Sequence, residues 1–183
     1  MFVLDADSLK DATMTIALIL INGFCFLAFN IILDPSYIFL LVQNNYLIMV
    51  EAEYWRLLTA MFLHADILHI FFNMMALLIF GAAVEENFYK YQYLLIYFIS
   101  GFIGNIASLF LLPVNSISLG ASGAIFGLIG AAFVVYIKEN PSFLFLALLY
   151  MGYFIVISFG PGINAIAHLF GLVLGIFLGS SDY

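Results

Sequence analysis

Between Ala12 and Leu33 the chain runs through 22 residues without an aspartate, glutamate, lysine or arginine, then stops at Asp34-Pro35. A helix needs about 20 such residues to cross the hydrocarbon of a bilayer. Five more uncharged runs follow, at 67–84, 91–112, 119–137, 143–159 and 163–178. They are separated by Glu85-Glu86-Asn87, Pro113, Lys138-Glu139-Asn140-Pro141 and Gly160-Pro161-Gly162. In hydrocarbon every backbone N–H and C=O must be satisfied internally, so runs of this kind fold as helices and pack together. The expected fold is therefore all-α: a polytopic membrane protein built as a compact bundle of six transmembrane helices. The fifth and sixth runs sit at the lower edge of the spanning length. Composition agrees, with 66% hydrophobic and 8% charged residues, against roughly 45–50% apolar residues in a soluble domain. The partner this implies is the lipid bilayer. Four basic residues in all exclude a nucleic-acid partner. The single cysteine, Cys25, excludes an internal disulfide and reads as packing.

The whole of 1–183 is expected to form one transmembrane domain. Residues 1–11 carry Asp5, Asp7, Asp11 and Lys10, and read as a short cytoplasmic tail rather than a cleaved signal, which would start basic. Residues 36–63 mix Gln43, Asn44, Asn45, Glu51, Glu53, Trp55 and Arg56 with apolar residues. They read as a partly interfacial loop with short amphipathic helices. With the N-terminus inside, Lys10, Lys90 and Lys138 are cytoplasmic and only Arg56 lies outside. The positive-inside rule therefore favours both termini in the cytoplasm.

Runs two, four and six then all start at the far face. His69 and Asn73 lie one and two turns into run two, Ser122 near the start of run four, and His168 about one turn into run six. At 1.5 Å rise per residue these groups share one layer to within roughly ten ångströms. Alone, the serine reads as a helix-packing residue and each histidine as a satisfied interhelical hydrogen bond. Together they supply the parts of acyl-transfer catalysis. Ser122 is the candidate nucleophile and His168 its general base, since imidazole titrates near neutrality. No carboxylate stands at this depth in runs four or six, in keeping with the cost of a buried charge in hydrocarbon. Packing is expected to orient the imidazole instead. Asn73, His69 and the Ser122 backbone N–H are the candidate donors to a tetrahedral oxyanion. The first two, spaced i to i+4, share a helix face.

Gly123 and Gly127 repeat at four-residue spacing, as do Gly171, Gly175 and Gly179. Small residues at that interval let helix backbones approach closely. If Gly123 and Gly127 face Gly171 and Gly175, Ser122 and His168 lie just above the contact.

These residues resemble the rhomboid family of intramembrane serine proteases. The matching pieces are Gly120-Ala121-Ser122-Gly123, the helix Ala167 to Gly175 that carries His168, and His69-Ile70-Phe71-Phe72-Asn73. Trp55-Arg56 and Gly81-Ala82-Ala83-Val84-Glu85 match as well. The pieces run in the family's order from about residue 53 to 176. The resemblance implies an intramembrane serine endopeptidase of the small six-helix prokaryotic type, with neither cofactor nor metal. It implies a shortened fourth helix carrying the serine at the floor of a water-accessible cavity, and transmembrane-helix protein substrates cut near their outer end. By position Ser122 and His168 are catalytic, with Asn73, His69 and the Ser122 amide at the oxyanion. Trp55 and Arg56 are implied to be structural, and Glu85 to anchor the end of the second helix. Phe126 stands where several members have a tyrosine under the catalytic histidine, so the stacking face is kept and a hydroxyl lost. Two other functions are compatible with the chain: an inactive rhomboid-like membrane chaperone, and a small transporter with a histidine proton relay. The fifth run, bulky and interrupted by Gly152, is a candidate substrate gate.

Overall fold

Every apolar run is helical in the computed structural model, which describes residues 11–181. Asp5, Asp7 and Lys10, used above for the tail and its orientation, lie outside the described residues. Helix α1 (Thr13–Leu27) continues through a π-helical turn, Ala28–Ile32. The mixed segment folds as a 3₁₀ turn (Pro35–Leu40), strand β1 (Gln43–Asn44), α2 (Asn45–Glu51) and α3 (Arg56–Thr59). Helix α4 (Ile67–Ala76), a π-helical turn (Leu77–Gly81) and α5 (Ala82–Asn87) form one continuous rod. Then come α6 (Lys90–Leu111), strand β2 (Ile117–Ser118), α7 (Ser122–Glu139), α8 (Leu144–Ile157) and α9 (Ala165–Ser180). Rods 13–32, 67–87, 90–111 and 122–139 are long and apolar enough to cross a membrane, and 141–157 and 165–180 are shorter apolar helices. The architecture is an all-α membrane bundle.

One boundary differs from the sequence reading. The fourth helix starts at Ser122 rather than Leu119, because β2 pairs antiparallel with β1 (Gln43 opposite Ser118, Asn44 opposite Ile117) and keeps the chain extended. Gly120 then turns it with φ +131°, a region that L side chains rarely enter.

Helix α7 is the axis of the bundle. Its apolar window is 67% buried, against 17% for α1, as expected for a helix that is apolar all round. Glycines set its distance to α9. A Cβ on Gly171 would strike the Gly123 carbonyl, and one on Gly175 the Gly127 carbonyl. On the other flank, a Cβ on Gly104 of α6 would stand 2.8 Å from the Ala167 carbonyl oxygen of α9. These are backbone-to-backbone contacts, of the kind small residues permit between membrane helices.

Helix α1 is tied on by one carboxylate. Glu85 accepts from the Thr13 hydroxyl (3.2 Å) and from the backbone N–H groups of Met14 (2.7 Å) and Thr15 (2.8 Å). Those two N–H groups belong to the first turn of α1 and have no acceptor within their own helix. The negative charge also complements the positive end of the helix dipole.

The long loop is held by polar stitches. Arg56 is buried and donates through Nη1 to the carbonyls of Phe39 (2.7 Å) and Val42 (3.0 Å), while Nε meets Glu53 at 2.5 Å. Trp55 is half exposed and donates from its indole N–H to the Leu40 carbonyl at 3.4 Å. Gln43 donates to the Asn105 carbonyl of α6 (3.1 Å), and Asn105 donates to the Leu57 carbonyl (2.8 Å). The segment is thus a folded cap on α6.

Candidate active site

The starts of α4, α7 and α9 meet at one end of the bundle, and each start has a cause in the sequence. Asp66 caps α4, its carboxylate accepting from the His69 N–H at 2.9 Å. Asn164 caps α9, its side-chain oxygen accepting from the Ala167 N–H at 3.0 Å. Both are preferred N-cap residues. Asn164 also donates to the hydroxyls of Ser108 (2.9 Å) and Ser118 (3.1 Å). The start of α9 is thereby fastened to the end of α6 and to β2. The Gly120 N–H donates to the Ala60 carbonyl at 2.9 Å, which fastens the start of α7 to the loop.

This framework brings Ser122 and His168 together. The Ser122 Oγ lies 2.7 Å from His168 Nε2. The imidazole is buried, while Ser122 is half-buried and so more open than the residues on either side of it. Phe126, one turn beyond Ser122, stacks on the His168 ring with centroids 4.2 Å apart and planes 12° from parallel. A ring at that spacing restrains the imidazole without offering it a competing hydrogen bond.

His69 approaches from α4. Its Nδ1 accepts from the Ala65 N–H at 3.4 Å, so in the neutral ring the proton is on Nε2. That nitrogen points at Gly120: a Cβ there would stand 2.9 Å from His69 Nε2 and 3.7 Å from the Ser122 Oγ. Glycine at 120 therefore serves twice, giving the turn its positive φ and leaving space beside the hydroxyl. The N–H of Ser122, at the helix start, has no intrahelical acceptor. Asn73 stands one turn further along α4 than His69. Its amide donates to the His69 carbonyl of its own helix at 3.0 Å, which leaves one amide hydrogen unused.

A model of the rhomboid domain matches residues 51–182. The chain belongs to the rhomboid family. It is 38% identical over 135 residues to the putative rhomboid protease YdcA of Bacillus subtilis, covering 70% of this chain and 67% of that protein. It is 41% identical over 134 residues to the mitochondrial RHOMBOID-like protein 6 of Arabidopsis thaliana, and 39% over 132 residues to the rhomboid protease GluP of Bacillus subtilis. Those matches take in 69% of this chain but only 43% and 26% of the two relatives, so it spans less than half the length of either. As a rhomboid, the chain is an integral membrane protein.

Two neighbours of this rhomboid site escape a reading of the sequence alone. His64, fully buried, sets its ring edge-on to His69 at 5.0 Å; it lies in the loop, outside every apolar run. Ser158, just past the end of α8, places its Oγ 2.7 Å from His168 Nδ1. A signal for Ser158 existed. It is a hydroxyl at the end of the fifth run, and the topology that collects the other polar groups in one layer carries that end to the same layer.

Proposed function

We propose that this rhomboid is an intramembrane serine endopeptidase that cuts transmembrane helices of protein substrates near their outer end. The observation that carries the reading is the 2.7 Å contact between Ser122 Oγ and His168 Nε2, which lies within the reach of a nucleophile and its base. Protease names among the relatives support it.

In the proposed reaction Nε2 takes the Ser122 proton as Oγ attacks the scissile carbonyl carbon. The carbonyl oxygen becomes an oxyanion within reach of the His69 Nε2–H and the Ser122 N–H. Asn73 has an amide hydrogen to add once substrate is bound. Collapse expels the amine, which leaves with the proton from Nε2, and Ser122 retains the acyl group. Water, deprotonated by His168, then releases the acid. Because an intact helix hides its carbonyls, the segment that is cut must unwind. Substrates carrying glycine or proline in that segment are therefore expected to react faster than helix-stabilised ones.

Orientation follows the same reading. Helix α6 starts at Lys90 and runs toward the Ser122 end, and α7 returns to Lys138. Both lysines thus stand at the end opposite the dyad, the cytoplasmic one by the positive-inside rule. The described residues work as one unit, α1 being joined to it through Glu85.

The test is covalent. A fluorophosphonate incubated with the folded protein in detergent is expected to phosphonylate Ser122, mapped by peptide mass spectrometry, and His168→Ala is expected to abolish the adduct. No adduct, or one on another residue, sinks the proposal. A further expectation concerns the stack. Phe126→Leu removes an aromatic pair worth about 0.5–1.5 kcal/mol, so kcat should fall about 2- to 10-fold with KM unchanged, whereas Phe126→Tyr should retain the parent rate. Steady-state cleavage of a labelled transmembrane substrate checks both.

A further inference from the structure

Serine hydrolases in water use a buried carboxylate to hold the base in its productive tautomer. Among the described residues no acidic side chain does so here: the hydrogen-bond partners of the His168 ring are two hydroxyls, Ser122 on Nε2 and Ser158 on Nδ1. A neutral imidazole carries one ring proton, and only the form with that proton on Nδ1 leaves Nε2 able to accept from Ser122. Something must select that form.

The geometry around Ser158 does so. Its hydroxyl has a single proton, and the Phe154 carbonyl oxygen, which can only accept, lies 2.7 Å from Oγ and takes it. Toward His168 Nδ1, also 2.7 Å away, the same Oγ can then only accept. In that arrangement the ring proton resides on Nδ1, and the Nε2 lone pair faces Ser122. Ser158 is 2% exposed, so water does not readily replace it.

We propose that Ser158 is the positioning residue of this site, fixing the His168 tautomer through a chain that runs from the Phe154 carbonyl through Ser158 Oγ to Nδ1–H. The proposal rests on the protease reading above. It gives a membrane enzyme the orienting function of a carboxylate without burying a charge. When Nε2 takes the Ser122 proton, the imidazolium keeps its Nδ1–H on the Ser158 oxygen. The hydrogen bond becomes charge-assisted at that moment and strengthens. Ser158 touches neither substrate nor the reacting atoms. It differs from Phe126, which restrains the plane of the ring but does not distinguish its two nitrogens.

The experiment is nitrogen NMR on protein carrying ¹⁵N-labelled histidine, in which three histidines give three sets of signals and the set lost in His168→Ala assigns the site. In the parent, His168 is expected to be protonated on Nδ1. In Ser158→Ala a substantial fraction should move to the Nε2–H form. The kcat should fall about 10- to 100-fold with KM within about twofold. Ser158→Thr, which restores a hydroxyl, should recover both readouts. A merely structural role in ending α8 would change stability without moving the tautomer. Parent protein with His168 protonated on Nε2 overturns the proposal even if no variant folds. So does a Ser158→Ala protein that keeps the Nδ1–H form and a kcat within twofold of the parent. Failure of the protease reading would look different: Ser122 would resist the fluorophosphonate while the His168 tautomer still answered to Ser158.

Discussion

Ser122→Ala and His168→Ala are each expected to lower cleavage of a transmembrane substrate by at least about 10³-fold, and the double variant is expected to be no slower than either. The reason is that the 2.7 Å pair acts as a unit. Without the hydroxyl, His168 has nothing to deprotonate. Without the imidazole, a Ser122 proton has no acceptor, because among the described residues no carboxylate is bonded to the pair. Independent contributions would instead multiply, and the double variant would be slower than either single one by the product of the losses. Single-turnover cleavage in detergent or proteoliposomes measures all three. A Ser122→Ala protein that cuts at the parent rate would falsify the assignment, whatever the other variants do.

Gly175→Val is expected to abolish activity by a different route. The added Cβ would collide with the Gly127 carbonyl oxygen, and backbone cannot rotate away as a side chain does. Overpacking ordinarily costs about 1–3 kcal/mol, and a collision with backbone belongs at or above the top of that range. The helices forced apart are α7 and α9, which carry Ser122 and His168. A misplacement of about 1 Å costs on the order of 10²-fold in rate. Both the unfolding midpoint and the fluorophosphonate labelling rate should therefore drop. Gly152→Ala is the matched control: a Cβ there meets nothing within 4 Å, and alanine favours helix by about 1 kcal/mol over glycine. It should leave labelling unchanged. Equal damage from the two substitutions would show that the α7–α9 glycines are not special.

Much of this was legible from residue order. The helices were, because hydrocarbon leaves an uncharged run of 20 residues few other conformations. The closeness of Ser122 and His168 was legible too: polar groups are rare in such runs, and alternating topology fixes their depth. The glycine spacings on α7 and α9 located the contact between them. Other features depend on tertiary pairing that no local pattern encodes. The segment 36–63 is shaped by hydrogen bonds from Arg56, Gln43 and Asn105 to backbone carbonyls, and carbonyls leave no mark in a sequence. The start of α7 moved to Ser122 because β2 finds a partner 75 residues earlier in the chain, Gln43 against Ser118. Asn73 has the right spacing beside His69, yet its amide turns back on its own helix. Ser158 stands at the end of the fifth run, where topology gives its depth, but the ring it meets is set by tertiary packing.

The two members of the dyad lie 46 residues apart in the chain. Synthesis proceeds from the N-terminus at roughly 5–20 residues per second. Ser122 is therefore made about 2 to 9 seconds before His168. Throughout that interval the nascent chain holds the hydroxyl without His168 beside it. The helix that brings the base is also the one whose glycines must seat against α7 before the two can touch. On the protease reading the molecule is thus its own timer: a half-made or stalled copy would be inert among the membrane helices around it, and proteolytic competence would arrive only with assembly.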